Sequence, residues 1–552
     1  MSSKFTEKSL NHHDGSSDDT VSSETQTIFR IAIIGSGAAA VATLFGLLEY
    51  LPSNFNKKFQ ITIFEKSFGF GPGYAYQCDS NELLMNMTSS TTSIFAHHAE
   101  DFWEWTLKGG CGISSDHVMS RSGVAPYGYI SRQFFGMYLK SRLEDAILAL
   151  EELGVEVILV NVEVVDIAVL SDNKFNVIAS GGKSTEFNCA ILCTGNNSPQ
   201  DIFRLVGKSQ YVNNPYPVNN YLKLIKRTAS VGIIGGQLTA ADIAVVLANH
   251  GHQGPINFFT RDSNFPLARC QQRKYALKYL TLDNLEILKS KNNKGISVRQ
   301  VLRLARKEFL RAGIAWNTFF SPSNIEYSRW IQSLLDGGRD FSSWQNLAIK
   351  TDAVIGDYWN ALSSSDKELF MNKFHRLWAA KRVPLPMHTA LKLHSLFQAG
   401  ILTHHPYLRV IHASGRNRFT AFVGESGESQ SSIEVDCDWI INATGPAKDI
   451  GGSTEMPLIK NLLKSGAIIK NPHGGIMLDY ETSIVKSASH RSLNYFYAIG
   501  QLTSGTYYFV SSLDMVSMRA KNVARHIVES LGLRQDQKEI YKQTQDESLY
   551  AS

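Results

Sequence analysis

Two stretches of the chain each combine a short apolar run, a glycine turn and an Ala-rich segment with helical character. In the first, Phe29 to Ile34 predicts a strand, Gly35-Ser36-Gly37 a turn and Ala38 to Tyr50 a helix. The second, Ser230 to Asn249, repeats this order and places Gly235-Gly236 at its turn. Strands that alternate with helices indicate an α/β fold with a parallel sheet.

The apolar run from Ile31 to Leu51 is also long enough to span a bilayer, and Glu49 is the one charged residue in it. Residues 1–27, however, are acidic and polar, whereas a signal anchor begins with basic residues. The glycines also stand where the β-rich run changes to an Ala-rich one. We therefore predict a strand, a turn and a helix, and no membrane insertion.

Further apolar patterns predict the remaining elements. A second strand, Phe59 to Glu65, completes one βαβ unit after the break at Pro52-Ser53-Asn54. The other predicted strands are 155–160, 189–192, 408–413, 420–423, 439–441 and 495–499, and the other predicted helices are 133–152, 298–312, 365–380 and 512–531.

The order of these motifs predicts two Rossmann-like dinucleotide-binding domains, the second inserted in the first, with a helical insertion. The expected division is a disordered tail (1–27), an FAD-binding domain (28–225), an NAD(P)-binding-like domain with the helical insertion (226–405), the return of the FAD-binding domain (406–532) and a polar tail (533–552). Length alone, at about 150 residues per domain, would suggest three or four units.

Composition narrows the class of protein. The 552 residues are 43% hydrophobic and 19% charged, which is typical of ordinary folded domains. A net charge of +5, without a long basic stripe, gives no support for nucleic-acid binding. Six cysteines are too few for a disulfide framework in a chain of this length. We expect a cytoplasmic protein.

The first glycine turn matches the dinucleotide fingerprint G-x-G-x-x-G/A at Gly35, Gly37 and Ala40. Gly35 would make the tight turn, Gly37 would let a pyrophosphate approach the backbone, and Ala40 would let the helix pack closely. Glu65 ends the next strand, where an acid can bind the ribose, although 30 residues separate it from Gly35. The alternative is a glycine turn in an unrelated α/β domain.

The second turn departs from the fingerprint, because Gln237 stands where the second glycine belongs. A side chain there would obstruct close contact with a pyrophosphate. Two interpretations stay open: a working nicotinamide-dinucleotide site, or a domain that keeps the fold but binds the cofactor poorly. Small-residue turns also follow three predicted strands, at Cys193-Thr194-Gly195, Ala443-Thr444-Gly445 and Gly500-Gln501.

These motifs, spread over residues 29–530, resemble the FAD/NAD(P)-binding flavoprotein family that is distantly related to flavin-dependent N-hydroxylating monooxygenases. The segments that carry the resemblance are GSGAAA, FEK, GFGPGYAY (69–76), LLMNM (83–87), CTGN, the second glycine cassette, a Trp–Arg–Pro segment around Arg382, ATGP and AIGQLTSGTYY.

The resemblance implies that the first turn holds the FAD pyrophosphate and Glu65 its ribose, that the 71–86 region lies along the isoalloxazine ring, and that the 500–506 region closes over it. Gln501 stands where this family often has Pro. The candidate cofactor-binding residues are Gly35, Ser36, Gly37, Ala38, Ala40, Glu65, Lys66, Gly71, Gly73, Tyr74, Asn86, Thr194, Gly195, Gly235, Gly236, Gln237, Thr444, Gly445, Gly500, Gln501 and Thr506.

The resemblance implies an enzyme in which NADPH or NADH reduces FAD, O₂ forms a flavin C4a-hydroperoxide, and an oxygen atom passes to a nitrogen of a small amine or amino acid. One alternative is an FAD oxidase or dehydrogenase that has lost its nicotinamide site, which Gln237 favours. Another is a non-catalytic flavin-binding protein. Arg382 is the candidate for a substrate anion, with a surface ion pair as its alternative.

Two other kinds of site receive little support. The pairs His97-His98 and His404-His405 have no His-x3-His spacing with a supporting acid, so we expect no metal. Cys189 and Cys193 lie four residues apart on an apolar strand, which favours core cysteines over a redox pair. The pattern indicates neither the substrate nor the oligomeric state.

Overall fold

A computed structural model describes residues 28–55, 57–67, 69–110, 128–262, 268–269, 275–292, 294–317, 340–415, 418–424, 432–451, 456–489 and 492–533. The predicted tail over 1–27 lies outside these residues, as does all but the first residue of the tail over 533–552.

Two parallel sheets and two small antiparallel sheets organise the described chain. The strands are β1 (Phe29–Ile34), β2 (Phe59–Glu65), β3 (Glu156–Asn161), β4 (Val164–Val169), β5 (Phe175–Ala179), β6 (Ser184–Phe187), β7 (Cys189–Leu192), β8 (Tyr211–Val212), β9 (Val231–Ile234), β10 (Ile256–Phe259), β11 (Leu402–His405), β12 (Leu408–Ala413), β13 (Phe419–Gly424), β14 (Ser432–Cys437), β15 (Trp439–Asn442), β16 (Ile484–Lys486) and β17 (Ser492–Ala498).

Helices surround these sheets. They are α1 (Ala38–Tyr50), α2 (Asp101–Leu107), α3 (Arg132–Glu152), α4 (Leu238–Asn249), α5 (Leu282–Ser290), α6 (Val298–Arg311), α7 (Asp340–Lys350), α8 (Asp352–Ala361), α9 (Ser364–Lys373), α10 (His375–Arg382), α11 (Met387–Gln398), α12 (Pro457–Ser465), α13 (Ser504–Tyr507) and α14 (Leu513–Ser530).

The first sheet has the order β16-β17-β7-β1-β2-β3, and every pair is parallel except β16–β17. β1 lies inside it, so its apolar residues are buried on both faces, as in other parallel sheets. Helices α1, α3 and α14 cover one face, and α1 meets α14 at Gly46, where a Cβ would come within 2.8 Å of Ala524 Cβ. The predicted βαβ unit is confirmed.

The second sheet has the order β11-β10-β9-β15-β8 and is entirely parallel. β8 and β15 bond within this sheet, whereas the predicted boundaries at 225 and 405 would place both strands with the first sheet. The sequence pattern could not assign them, because a short apolar strand fits either sheet equally well. β4–β6 and β12–β14 form the antiparallel sheets, and of these six strands only β12 and β13 were predicted.

One of the two helices predicted between β10 and β11 is divided in the structure. The single helix predicted over 365–380 is wrong: α9 ends at Lys373, and α10 begins at His375 after a break at Phe374. In the part of the chain that the structure describes, no helix is long and apolar enough to cross a membrane. The apolar run 31–51 is divided among β1, the glycine turn and α1, as predicted.

Candidate cofactor and substrate site

The first glycine turn lies at the carboxyl end of β1, between β2 and β7. Gly35 has φ +103°, and a Cβ there would overlap the carbonyl oxygen of Cys193. Gly35 N–H donates to Phe64 O at 2.8 Å, and Cys193 N–H donates to Ile34 O at 2.9 Å. The turn is therefore held by both neighbouring strands, and only glycine fits its first position.

Gly37 and Gly73 bring two loops into direct contact. Gly37 is the N-cap of α1, and a Cβ on it would lie 3.4 Å from Gly73 Cα. Gly73 has φ +58°, and a Cβ there would lie 2.8 Å from Gly37 Cα. Gly71, with φ +106°, packs in the same way against the backbone of Lys140 in α3. The glycines of the GPGYAY segment thus place that loop over the start of α1.

Glu65 ends β2 and is buried beside the turn. Its Oε2 accepts from the backbone N–H of Ser36 at 3.1 Å and from Ser36 Oγ at 2.8 Å. Its Oε1 accepts from the N–H of Ser67 at 3.0 Å and from Ser67 Oγ at 2.7 Å. These four bonds match the acceptor capacity of a carboxylate, so a ribose hydroxyl would have to replace one of the serines.

Other predicted residues lie at the same carboxyl edge of the first sheet. Thr194 stands beside Gly35, and its buried Oγ1 has no hydrogen-bond partner among the residues that the structure describes. Gly195 (φ +72°) and Gly500 (φ +86°) both face open space. The edge therefore holds an orphaned hydroxyl and two positions where a ligand meets no side chain. Ala38 and Ala40 begin α1, and Ala40 is fully buried.

Four predicted residues lie further from the turn. Lys66 is exposed and pairs with Glu163 at 3.9 Å. Tyr74 is 39% exposed, and its hydroxyl donates to Asn214 Oδ1 at 2.5 Å. Asn86 is half-buried just after Met85. Gln501 begins a 3₁₀ turn over Gln501–Thr503.

The helix that follows the 3₁₀ turn carries the last of the predicted FAD residues. Thr506 is buried in α13, and its Oγ1 accepts from Asn471 Nδ2 at 3.4 Å. The side chain of Asn471 therefore holds Thr506 in place, whereas Gly500 faces open space.

The helices that begin at the two glycine turns have uncapped N-termini, as several other helices of the chain do. The N-caps of α1 and α4, Gly37 and Gln237, form no side-chain capping bond, and neither helix has an acidic residue in its first turn. By contrast, α3, α5, α6, α9 and α14 are capped by a Ser or Thr side chain. Uncapped N–H groups and the helix dipole suit an anion such as a phosphate.

The second glycine turn repeats the backbone of the first. Gly235 has φ +126°, and a Cβ there would lie 2.6 Å from Ala443 O. Gly235 N–H donates to Phe259 O at 2.8 Å, and Ala443 N–H donates to Ile234 O at 2.9 Å. Gly236 is buried, and Gln237 has φ −98° and ψ −163°, close to the φ −72° and ψ −167° of Gly37. The backbone of Gln237 thus keeps the conformation of the turn, and its side chain is exposed.

The turn after β15 lies next to this second site. Thr444 is exposed and directs both its N–H and its hydroxyl to Asn442 Oδ1, at 3.2 and 2.7 Å. Gly445 has φ +81° and faces open space. These residues keep the carboxyl end of β15 open in front of Gly235.

The strand registers identify which residue of the second site corresponds to Glu65. Ile34 pairs with Phe64 in the first sheet, and Ile234 pairs with Phe259 in the second. Thr260 therefore occupies the position of Glu65, and Arg261 follows it. Sequence comparison of the two cassettes could have found this substitution, because the acid is absent from the end of the second strand.

Cationic side chains surround Arg261. Lys448, in the turn after β15, lies 2.6 Å from His375 Nε2 through its Nζ. Burial and then the charge of Arg261 lower the pKa of Lys448 to about 8. Burial, followed by the charges of Lys448 and Arg261, lowers the pKa of His375 to about 4, so His375 is neutral near pH 7. Arg376 is exposed and pairs with Asp262 at 3.7 Å.

The substrate candidate Arg382 is buried at the end of α10. Its guanidinium pairs with Asp352 and lies 3.4 Å above the ring of Phe509. Arg382 thus forms an ion pair, as the alternative interpretation expected, but its side chain is 6% exposed, whereas that of Asp352 is 31% exposed. Phe509 follows α13, so Arg382 lies beside the segment predicted to close over the flavin.

An apolar cavity of about 120 Å³ lies next to this segment. Tyr508 is part of its wall, with φ +65°, and its ring packs against Trp359, with 5.1 Å between ring centroids. The rest of the lining comes largely from α6, α8, α9 and α10. Sequence reasoning missed this cavity, because apolar residues on amphipathic helices look the same whether they pack tightly or line a space.

The cysteine prediction is confirmed, and the structure gives no support for a metal site. Cys189 and Cys193 are buried free thiols, and burial raises the pKa of Cys193 to about 12. Over the described residues, no group of three His, Cys, Asp or Glu side chains could hold a metal ion.

Comparison with known proteins supports this assignment of the fold. Residues 32–197 match the sequence profile of the FAD-NAD(P)-binding family. The protein YdhS of Escherichia coli (strain K12), whose function is uncharacterized, is 24% identical over 231 residues. That match spans 40% of this chain and 40% of YdhS, so the chain aligns with less than half the length of this relative.

Solved flavoproteins share the fold over most of the chain. The ornithine N-hydroxylase KtzI of Kutzneria sp. 744 is 13% identical, with a TM-score of 0.54 over 91% of this chain and 100% of its own. L-lysine 6-monooxygenase from Pseudomonas syringae is 11% identical, with a TM-score of 0.55 over 90% and 99%. The cadaverine monooxygenase DfoA of Erwinia amylovora, solved with FAD, is 13% identical, with a TM-score of 0.51 over 91% and 95%. The expected resemblance is confirmed: this is a mixed α/β chain with the fold of FAD- and NAD(P)-binding flavoproteins.

Proposed function

We propose that this protein is an FAD-dependent monooxygenase that uses NADPH and O₂ to oxygenate a nitrogen of a small amine or amino acid. In this proposal, the first and second sheets are the cores of two dinucleotide-binding domains, and the second domain is inserted in the first. The second domain would run from about residue 201 to 442, because β8 and β15 belong to its sheet.

The residues at the first turn fit FAD. The uncapped N-terminus of α1 would bind the pyrophosphate, and Gly35 and Gly37 would let it reach the backbone. Thr194 would donate its unpartnered hydroxyl to the cofactor. Glu65 would bind the ribose once a ribose hydroxyl takes the place of one of its two serine hydroxyl donors.

The second turn favours NADPH over NADH. An acid at the end of the second strand binds the free ribose hydroxyl of NADH, and a nearby arginine accommodates the extra phosphate of NADPH. Here Thr260 replaces the acid and Arg261 follows it, with Lys448 close enough for their charges to interact. Gln237 weakens contact with the pyrophosphate but leaves the cationic side of the site open.

Bound FAD would supply the redox chemistry, accepting a hydride and activating O₂. The chain's own residues would bind, orient and exclude water. The apolar wall around Tyr508 and Phe509 would keep water from the reacting edge, and buried Arg382 would orient the substrate. No protein base is assigned to the oxygen transfer.

The observation that carries the proposal is the repeated turn: two glycine turns of the same backbone geometry, each at the carboxyl end of a parallel sheet and each opening an uncapped helix. One such turn would suffice for an FAD oxidase, whereas NADPH-dependent oxygenation needs both. The replacement of the acid by Thr260, with Arg261 after it, would have no use in an oxidase.

An anaerobic reduction experiment tests the proposal. The purified protein, loaded with FAD, is mixed with NADPH or NADH while the flavin band near 450 nm is followed, an approximate wavelength from general flavin chemistry. We expect NADPH to bleach the band, and NADH to do so more slowly. Bleaching by a candidate substrate but by neither nucleotide would establish the oxidase instead, and a protein that takes up no FAD would refute both enzymes.

A further inference from the structure

Two arginines near the segment after α13 have buried donor atoms with nothing to bond. Arg382 is 7% exposed, and its Nε has no hydrogen-bond partner among the described residues. In Arg269, both Nε and Nη1 are buried and likewise unpartnered there. Buried guanidinium nitrogens are almost always bonded, so three orphaned donors in one place point to a missing partner.

The two side chains belong to one cluster. Arg382 and Arg269 are close enough for the charge of Arg382, after burial, to lower the pKa of Arg269. The chain brings them together where Ala268 pairs with Leu385 in a short parallel bridge, and Arg269 N–H donates to Leu385 O at 2.7 Å. Backbone pairing therefore holds the two arginines close to each other.

Within the described part of the chain, one carboxylate bonds to this pair, and its charge also acts on Arg269. Asp352 pairs with Arg382, and Asp352 Oδ1 engages the Nη2 atom, which leaves Nε of Arg382 unfilled. Asp514 is nearby, and burial followed by the charge of Asp352 raises its pKa. The guanidinium of Arg382 is fixed from above by the ring of Phe509. An arginine pair with three unfilled donors suits a planar oxyanion that accepts two parallel bonds.

We propose that Arg269 and Arg382 form a carboxylate-binding site beside the segment 504–509. This assignment rests on the proposed function: the oxygenated amine carries a carboxylate, as an amino acid does. Arg269 is then a second binding residue beside Arg382. Asp352 is then a positioning residue, which holds Arg382 in place.

Thermal melting of the FAD-loaded protein in sodium acetate, sodium phosphate and sodium chloride at equal ionic strength tests the site with acetate as the probe. We expect acetate to raise Tm by at least about 1 °C relative to chloride, because a ligand of the folded state stabilises it. Arg269→Met should abolish this difference, and Arg269→Lys, which keeps the charge but not the planar fork, should retain part of it. Arg306→Met, at an exposed arginine of α6, should change nothing.

The same melts supply a second readout. Since Nε and Nη1 of Arg269 are buried without a partner among the described residues, Arg269→Met should leave Tm in chloride unchanged or raise it. A clear fall in chloride would show that Arg269 is bonded within the protein and would overturn the proposal. An acetate effect that survives Arg269→Met, or stabilisation by phosphate alone, would also overturn it. The flavin spectrum of each sample separates these outcomes from failure of the proposed function: a yellow protein without an acetate effect refutes only the carboxylate site.

Discussion

The two glycine turns of this protein share a backbone but differ in what surrounds them. At the first, Gly37 lies against Gly73, so a neighbouring loop closes over the start of α1. At the second, Gln237 adopts nearly the same backbone angles but is exposed. On the proposed function, the first turn would enclose its ligand, and the more exposed second turn would suit a cofactor that arrives and leaves.

The two turns also differ in charge. Glu65 ends the second strand of the first sheet, buried and bonded to Ser36 and Ser67. At the same position of the second sheet stands Thr260, followed by Arg261 with Lys448 nearby. An acid suits ribose hydroxyls and a cationic group suits a phosphate, so the same fold would select different dinucleotides by one position of one strand.

The largest expected effect is the loss of stability in Gly35→Ala, which places a Cβ in the first turn. The left-handed backbone costs about 1–2 kcal/mol for a residue with a Cβ, and overlap with Cys193 O adds to this. We expect a loss of at least ~3 kcal/mol in the free energy of unfolding and little bound flavin, measured by denaturant unfolding and by absorbance. Gly154→Ala is the matched control, since Gly154 has φ +81° but open space around it. Equal losses in the two variants would contradict the role of the overlap.

Arg261→Ala should be next in size and should act on the second turn alone. Removing a charged hydrogen-bond partner of a phosphate costs about 1.5–3 kcal/mol, or roughly a 10- to 100-fold rise in the Kd for NADPH. Flavin content and the Kd for NADH should stay the same. In the control Arg306→Ala, at an exposed arginine of α6, the Kd values for NADPH and NADH should both stay the same. Titration calorimetry with each nucleotide measures the difference, and an equal loss of NADH affinity would show that Arg261 does not contact the extra phosphate.

Lys448 would make the binding of NADPH at the second turn depend on pH. Its pKa of about 8 means that the ammonium is charged below that pH and neutral above it. Attraction for a phosphate is therefore present at lower pH and is lost as pH rises through this value, whereas His375, with a pKa of about 4, is already neutral. We expect the Kd for NADPH to rise severalfold between about pH 7 and pH 9. Lys448→Met should bind more weakly at pH 7 and show a flatter profile; an unchanged profile would exclude Lys448 from the site.

The smallest expected effect is a gain, from Gln237→Gly. Glycine is tolerated at an N-cap, so stability should change by a few tenths of a kcal/mol at most. Opening the approach to the α4 N-terminus should tighten binding of NADPH by up to about 1 kcal/mol, roughly fivefold. The measurement is the Kd of the oxidised protein for NADPH, with FAD content as the internal control. If affinity falls, the side chain of Gln237 is itself a contact, and the two turns differ less than their sequences suggest.

Local patterns account for what could be predicted. β1, α1 and β2 follow from an apolar run, a glycine turn and an Ala-rich helix, which depend on interactions between near neighbours in the chain. The helix predicted over 365–380 failed at Phe374, because helical propensity alone does not mark where packing divides a helix. The short strand β8 likewise has too few residues to show any period.

The candidate site required contacts between distant parts of the chain. Glycine spacing identified Gly35 and Gly37, but the partner Gly73 became evident only when two loops met. Arg382 was suggested by its sequence neighbours, whereas Arg269 could be recognised only from the pairing of Ala268 with Leu385, over a hundred residues apart. The residue types and their order thus establish an α/β flavoprotein fold and two glycine turns, since backbone geometry and apolar period are local properties. Which strands share a sheet, which turn is closed, and which buried charges lack a partner depend on tertiary packing, because desolvation and charge pairing arise only when distant segments meet.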